Sequence, residues 1–186
     1  PLDNGVGKGK KEEFWTHVYS DPRQHERRQA QMQQKLQRLG VLDAERNASI
    51  YDLCCGMGEA LTTLHGMGFR NLHGIDITPY PKLQSEKRFT FTVSDVCSLP
   101  VPDQHADWAL SIHALHHLET ADNVKKFVDE CWRILKPGGR LAIIDFPSSP
   151  QIRLTFRCFL QRWWLVTPYL KWFGSLIQSE WHFLRG

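Results

Sequence analysis

The sequence predicts an α/β fold, a mainly parallel, doubly wound sheet of about five strands with helices on both faces. Three observations predict it. Short apolar runs read as strands at Ser49 to Leu53, Asn71 to Ile77, Thr90 to Ser94, Trp108 to Ile112 and Arg140 to Phe146. Helical patterns fall between them, at Ala60 to Met67 and Asn123 to Leu135. Glycines or carboxylates follow several strands, at the end of the sheet where such folds bind ligands.

Composition narrows the function. The chain has 186 residues, 41% of them apolar and 23% charged, which suits one folded core and excludes a disordered chain. A net charge of +3 is too small to imply a nucleic-acid partner. Cys54, Cys55, Cys97, Cys131 and Cys158 show no repeated metal-ligand spacing, and adjacent cysteines bridge each other only under strain. Reduced, buried thiols, no metal and a cytoplasmic setting are expected. The opening Pro1 implies an N-terminus that is processed, trimmed or unseen. The most apolar stretch, Ile152 to Phe173, is broken by Arg153, Arg157, Arg162 and Lys171, so no bilayer span is expected.

Three regions follow: a tail with cap helices (1–48), a core (49–146) and an aromatic helical segment (147–186). Gly5 to Lys11 reads as a flexible tail. Phe14, Trp15, Val18 and Tyr19 fall at helical spacing, as a core edge or a lid. The next helix has Asp21 as cap, Pro22 at its first position and Gly40 as stop. Its many Arg, Gln and Glu residues suit a surface helix. In the helix from Asn123, Val124, Phe127, Val128, Cys131, Ile134 and Leu135 form one apolar stripe, which Lys136-Pro137-Gly138-Gly139 terminates.

The chemistry concentrates at strand ends. In Ile50-Tyr51-Asp52-Leu53-Cys54-Cys55-Gly56-Met57-Gly58-Glu59, small residues after a strand let the backbone approach a ligand. A dinucleotide fingerprint would need a third glycine where Leu61 stands. Asp76, in Gly74-Ile75-Asp76-Ile77, can accept both hydroxyl protons of a ribose. To this point a nicotinamide or an adenosyl cofactor would serve. Three later segments discriminate: Val93-Ser94-Asp95-Val96, Asp107 through Leu118, and Trp132-Arg133-Ile134-Leu135-Lys136-Pro137-Gly138-Gly139-Arg140-Leu141.

In this order and spacing the segments resemble the class I S-adenosylmethionine-dependent methyltransferases, over about Ile50 to Phe146. The resemblance implies a Rossmann-like core. It assigns Asp52 and the turn Cys54, Cys55, Gly56, Met57 and Gly58 to the methionine part of S-adenosylmethionine. Asp76, with Ile77 beside it, is assigned to the ribose, Asp95 and the Val96 backbone to the adenine, and Ser111 and Ile112 to the methionine end. Two departures stand out: Cys54 replaces the usual Gly, and Pro79 and Pro81 leave room for only a short helix between strands two and three.

His113, His116 and His117 are spaced so that one helical face could carry all three. They are the candidates for a general base, beside pocket-lining and metal-binding readings. After Pro147 the family's last two strands are missing, so the chain is truncated or partly observed, or another chain completes the sheet. Residues 151–173, with Phe156, Phe159, Trp163, Trp164 and Trp172, resemble the substrate-covering insertion of the ubiquinone and menaquinone methyltransferase group. Three roles are open to them: a lid, subunit packing in a homo-oligomer, or contact with a membrane surface.

The expected function is methyl transfer to a small, largely apolar, quinone-like or natural-product-like molecule. The rivals are other chemistry on the same cofactor and a silent cofactor-binding subunit.

Overall fold

The computed structural model describes residues 22–145, with side chains from Glu26 onward. Five strands form one parallel sheet: β1 (Ile50–Leu53), β2 (Leu72–Asp76), β3 (Thr90–Val93), β4 (Ala106–Ile112) and β5 (Leu135–Ile144). Their spatial order is β3-β2-β1-β4-β5. The chain therefore builds outward from β1 to β3, then returns to the other side of β1 to place β4. That return makes a switch point between the carboxyl ends of β1 and β4, where flanking loops part and a ligand can enter.

Burial explains why β1 is central. All four of its residues are buried, and it pairs with β2 through Ile50–Leu72 and with β4 through Ile50–Trp108. Its side chains alternate between two cores. Ile50 packs with Leu36, Leu64, Leu72 and Leu110 on one face, while Tyr51 and Leu53 pack with Phe127, Val128 and Ile134 on the other.

The second core is covered by α4 (Ala121–Ile134). Thr120 caps this helix, its Oγ1 accepting from the Asn123 N–H at 3.1 Å. The predicted stripe Val124, Phe127, Val128, Cys131 and Ile134 is buried. Arg133 ties the preceding loop down, donating to the carbonyls of Leu99 and Val101.

One expectation about the elements needs correction. The Lys136–Gly139 run does not stand between helix and strand, because α4 ends at Ile134 and β5 begins at Leu135. The strand absorbs the proline and glycines through a register shift opposite Ala106 and Trp108. The surface helix α1 (Pro22–Arg38) is polar in composition and docks through Met32, Leu36 and the following Leu39, which are buried in the first core. Three apolar residues at a spacing of four and three suffice to dock it. Its proposed cap, Asp21, lies outside the described residues, as do the aromatic cluster 14–19 and the segment 151–173.

The remaining helices are short. After β1, α2 (Glu59–Gly66) lies against β2. This approach depends on Gly74, because a Cβ there would stand 2.7 Å from Leu61 Cδ1 and 2.9 Å from Cys55 Sγ. Between β2 and β3 there is a single turn, α3 (Pro81–Gln84), as the prolines predict.

The amino end of the sheet is pinned separately. Asp107 Oδ2 accepts from both the N–H and the hydroxyl of Ser49, and Lys136 Nζ donates to both Asp107 oxygens at 2.9 Å. Burial opposes the charge on Asp107, yet the Lys136 and Ser49 donors hold its pKa below the ordinary carboxylate value.

Candidate active site at the carboxyl edge

The turn after β1 is built by its own backbone. Cys55 N–H donates to the Ile75 carbonyl at 3.1 Å, and Gly58 N–H donates to the Cys55 carbonyl at 2.9 Å. Cys54, Gly56 and Gly58 have φ of 60°, 52° and 71°. That left-handed backbone explains why a glycine is expected where Cys54 stands. A Cβ on Gly56 would meet nothing within 4 Å, so the backbone faces open space there.

Three carboxylates converge on this turn from three strand ends. Asp52, on β1, is 3% exposed. Burial and then the neighbouring Asp76 carboxylate raise its pKa to about 7. Asp76, the last residue of β2, accepts from the Gly56 N–H at 2.9 Å and from the Thr78 N–H at 2.8 Å. Asp95, beyond β3, accepts from the Cys97 N–H at 2.9 Å and is otherwise exposed, with Val96 buried beside it. Cys54 registers all three acids: burial, Asp76, Asp52, Cys97 and Asp95 together push its thiol up to about 12. Protonated thiols of this kind are poor nucleophiles and poor metal ligands.

The far wall comes from β4. Ser111 is 1% exposed, and its Oγ has no hydrogen-bond partner among the described residues. Ile112 is half-buried, and Ile77, beside the ribose-assigned Asp76, is 69% exposed.

The chemistry of this donor set fits S-adenosylmethionine. An ammonium and a sulfonium would offset the buried negative charge at Asp52, which no basic side chain among the described residues offsets. Ribose hydroxyls can donate to Asp76, an adenine amino group to Asp95, and a buried hydroxyl awaits a partner at Ser111.

The histidines do not share a helical face, contrary to their spacing. β4 ends at Ile112, His113 turns into the left-handed region at φ 54°, and a 3-10 turn follows over Leu115–His117. His116 Nδ1 lies 3.0 Å from Asp145 Oδ1, and its backbone N–H donates to Asp145 Oδ2 at 3.1 Å. His117 is exposed, its ring centroid 4.0 Å from that of His116. His113 Nε2 instead meets Lys35 Nζ of α1 at 3.0 Å. Asp145 and Lys35 were absent from the sequence-derived site. Asp145 carried a signal, as an acid near the end of an apolar strand, whereas Lys35 looked like any surface lysine.

The chain is similar to known proteins over this core. A family described as "Methyltransferase domain" matches residues 51–143, half of the chain. The chain belongs to that family. Its core is that of the class I S-adenosylmethionine-dependent methyltransferases, a family whose cofactor is S-adenosylmethionine. Over 144 residues the chain is 29% identical to a 2-phytyl-1,4-naphtoquinone methyltransferase of Nostoc punctiforme, covering 70% of the chain and 60% of the relative. It is 38% identical over 103 residues to a tRNA (carboxymethyluridine(34)-5-O)-methyltransferase of Arabidopsis thaliana, covering 55% of the chain and 25% of the relative. The crystal structure of a SAM-dependent methyltransferase from Aquifex aeolicus superposes with a TM-score of 0.52 at 25% identity, covering 62% of the chain and 63% of that structure. The chain thus spans less than two thirds of each relative's length. Among the described residues no helix is long and apolar enough to cross a membrane.

Proposed function

We propose that this methyltransferase transfers the methyl group of S-adenosylmethionine to a small, largely apolar acceptor, with His116 as the general base. The observation that carries this reading is the His116–Asp145 pair at the carboxyl edge of β4 and β5. The Asp145 side chain is fully buried and that of His116 is 31% exposed. A buried carboxylate on Nδ1 fixes the imidazole tautomer, so Nε2 is the basic nitrogen. When bound, the cofactor supplies an already activated methyl electrophile. The protein's tasks are then to align the acceptor and accept its proton.

In the proposed site, Asp52 and the Cys54–Gly58 turn hold the methionine part together with Ser111 and Ile112. Asp76 and Ile77 hold the ribose, and Asp95 and Val96 hold the adenine. His117 lines the pocket beside His116. A quinone-like acceptor is supported by the naphtoquinone relative, whose match extends over more of the chain than the tRNA enzyme's does. Residues 151–173 would cover that acceptor, or else supply subunit or membrane-surface contacts.

The test is transfer of labelled methyl from S-adenosylmethionine to a panel of naphthols, quinols and an RNA pool. Label in the apolar pool that disappears in His116→Ala supports the reading. Label in RNA alone, or release of another cofactor fragment, overturns it.

A further inference from the structure

Two carboxylates on one sheet meet opposite surroundings. At the amino end, Asp107 accepts from the Lys136 ammonium and from both donors of Ser49. Towards the carboxyl end, Asp52 sits on the central strand, 3% exposed, with no basic side chain among the described residues to offset its charge. The sheet pairs Asp52 with Gly74 of β2 and with Leu110 of β4. Side chains two apart on a strand share a face, so Asp76 projects from the same face as Asp52. Asp76 is buried as well, at 7% exposure.

The neighbours decide which acid of this pair takes up a proton. Both oxygens of Asp76 are engaged as acceptors, one from the Gly56 N–H and the other from the Thr78 N–H. Asp52 has no such donor among the described residues. Around it the turn offers only the thiols of Cys54 and Cys55, both held protonated by burial first and then by these acids. From β4 comes apolar Leu110, and Asp95, beyond β3, reaches Cys54 rather than Asp52. Two buried like charges repel, and the acid without donors gives way. Burial first and Asp76 second accordingly raise the Asp52 pKa to about 7.

We propose that Asp52 holds a proton in the empty site and releases it to solvent when the cofactor ammonium binds, so that protons and S-adenosylmethionine compete for one carboxylate. This inference rests on the reading above, which assigns Asp52 to the methionine part. The step balances: the Asp52 O–H bond breaks, its electron pair stays on the carboxylate, and one positive charge enters as another leaves. Cofactor occupancy therefore falls in acid.

The test is calorimetry of S-adenosylhomocysteine, which carries the same ammonium, on the full chain. Titrations are run at pH 6, 7 and 8 in pairs of buffers that differ in ionisation enthalpy, and the dependence of the heat on that enthalpy counts the protons released. About 0.9 proton should leave at pH 6, about half at pH 7 and about 0.1 at pH 8. Affinity should rise about fivefold from pH 6 to 7 and less than about twofold from pH 7 to 8. Asp52→Asn, shaped like the protonated acid, should abolish the release and flatten the affinity, whereas a release owed to a histidine would survive in it. Should that variant not fold, Asp76→Asn takes its place and should move the release to lower pH. Binding by the wild type without proton release, or a release unmoved by the substitution, overturns the proposal and leaves the methyl-transfer reading standing. A wild type that binds no S-adenosylhomocysteine at any of these pH values overturns both.

Discussion

The Asp52 carboxylate is buried within electrostatic reach of that of Asp76, and its pKa rises to about 7. Its folded value thus exceeds the unfolded one, so between about pH 4 and 7 the folded protein binds more protons than the unfolded chain. The Asp52 contribution to stability without cofactor should be largest at the acid end of that window, fall as pH rises through it, and level off above it. The full loss is on the order of 4 kcal/mol as an upper bound. Thermal unfolding from pH 4.5 to 8 checks this, and Asp52→Asn should flatten the curve. An unchanged slope in that variant would exonerate Asp52.

Asp76 carries two loads, because it holds the turn through Gly56 and is assigned to the ribose. Asp76→Ala should weaken S-adenosylhomocysteine binding about ten- to a hundredfold, the worth of about 1.5–3 kcal/mol of charge-assisted bonding. Asp95→Asn should cost less than Asp95→Ala, since the amide keeps one acceptor for the adenine. Calorimetry on folded variants decides both, and wild-type affinity in Asp76→Ala would remove it from the site.

Cys54 holds a left-handed backbone that only glycine adopts without strain. Cys54→Gly should therefore be more stable than Cys54→Ala by about 0.5–1 kcal/mol, the reverse of the usual order. Urea denaturation of the two variants measures it. An Ala variant that is the more stable would contradict the turn's geometry.

At Gly74 the reasoning is steric. A methyl group there meets Leu61 and Cys55 inside contact distance, so Gly74→Ala should destabilise by about 1–3 kcal/mol. It should also weaken cofactor binding, because Cys55 belongs to the turn. A stability loss with cofactor affinity intact would separate the two effects.

Much of this was legible in the chain itself, and the failures have physical causes. β1 to β4 could be read because buried parallel strands are short apolar runs, and the acids at their ends because ligand edges collect them. β5 was misread at its start since proline and glycine usually terminate, whereas an edge with a register shift tolerates them. Helical spacing among the histidines misled because one backbone angle at His113 breaks the periodicity. The contacts of Lys35 with His113 and of His116 with Asp145 join residues from separate elements, which no local pattern reports.

His116→Ala should lower kcat by about a hundredfold or more, the usual worth of a positioned base. Asp145→Asn should lower kcat with cofactor affinity preserved, since it loosens the imidazole without touching the turn. Steady-state kinetics against S-adenosylmethionine separate kcat from KM. Full activity in both variants would leave the acceptor to ionise unaided.

The Ser49–Asp107–Lys136 cluster fastens β1, β4 and β5 at the end of the sheet away from every residue assigned to ligand. Anchorage and chemistry are thus set at opposite poles of the same strands. Loops at the reactive pole can be exchanged for others, and a new acceptor accommodated, while the strands keep their alignment from below.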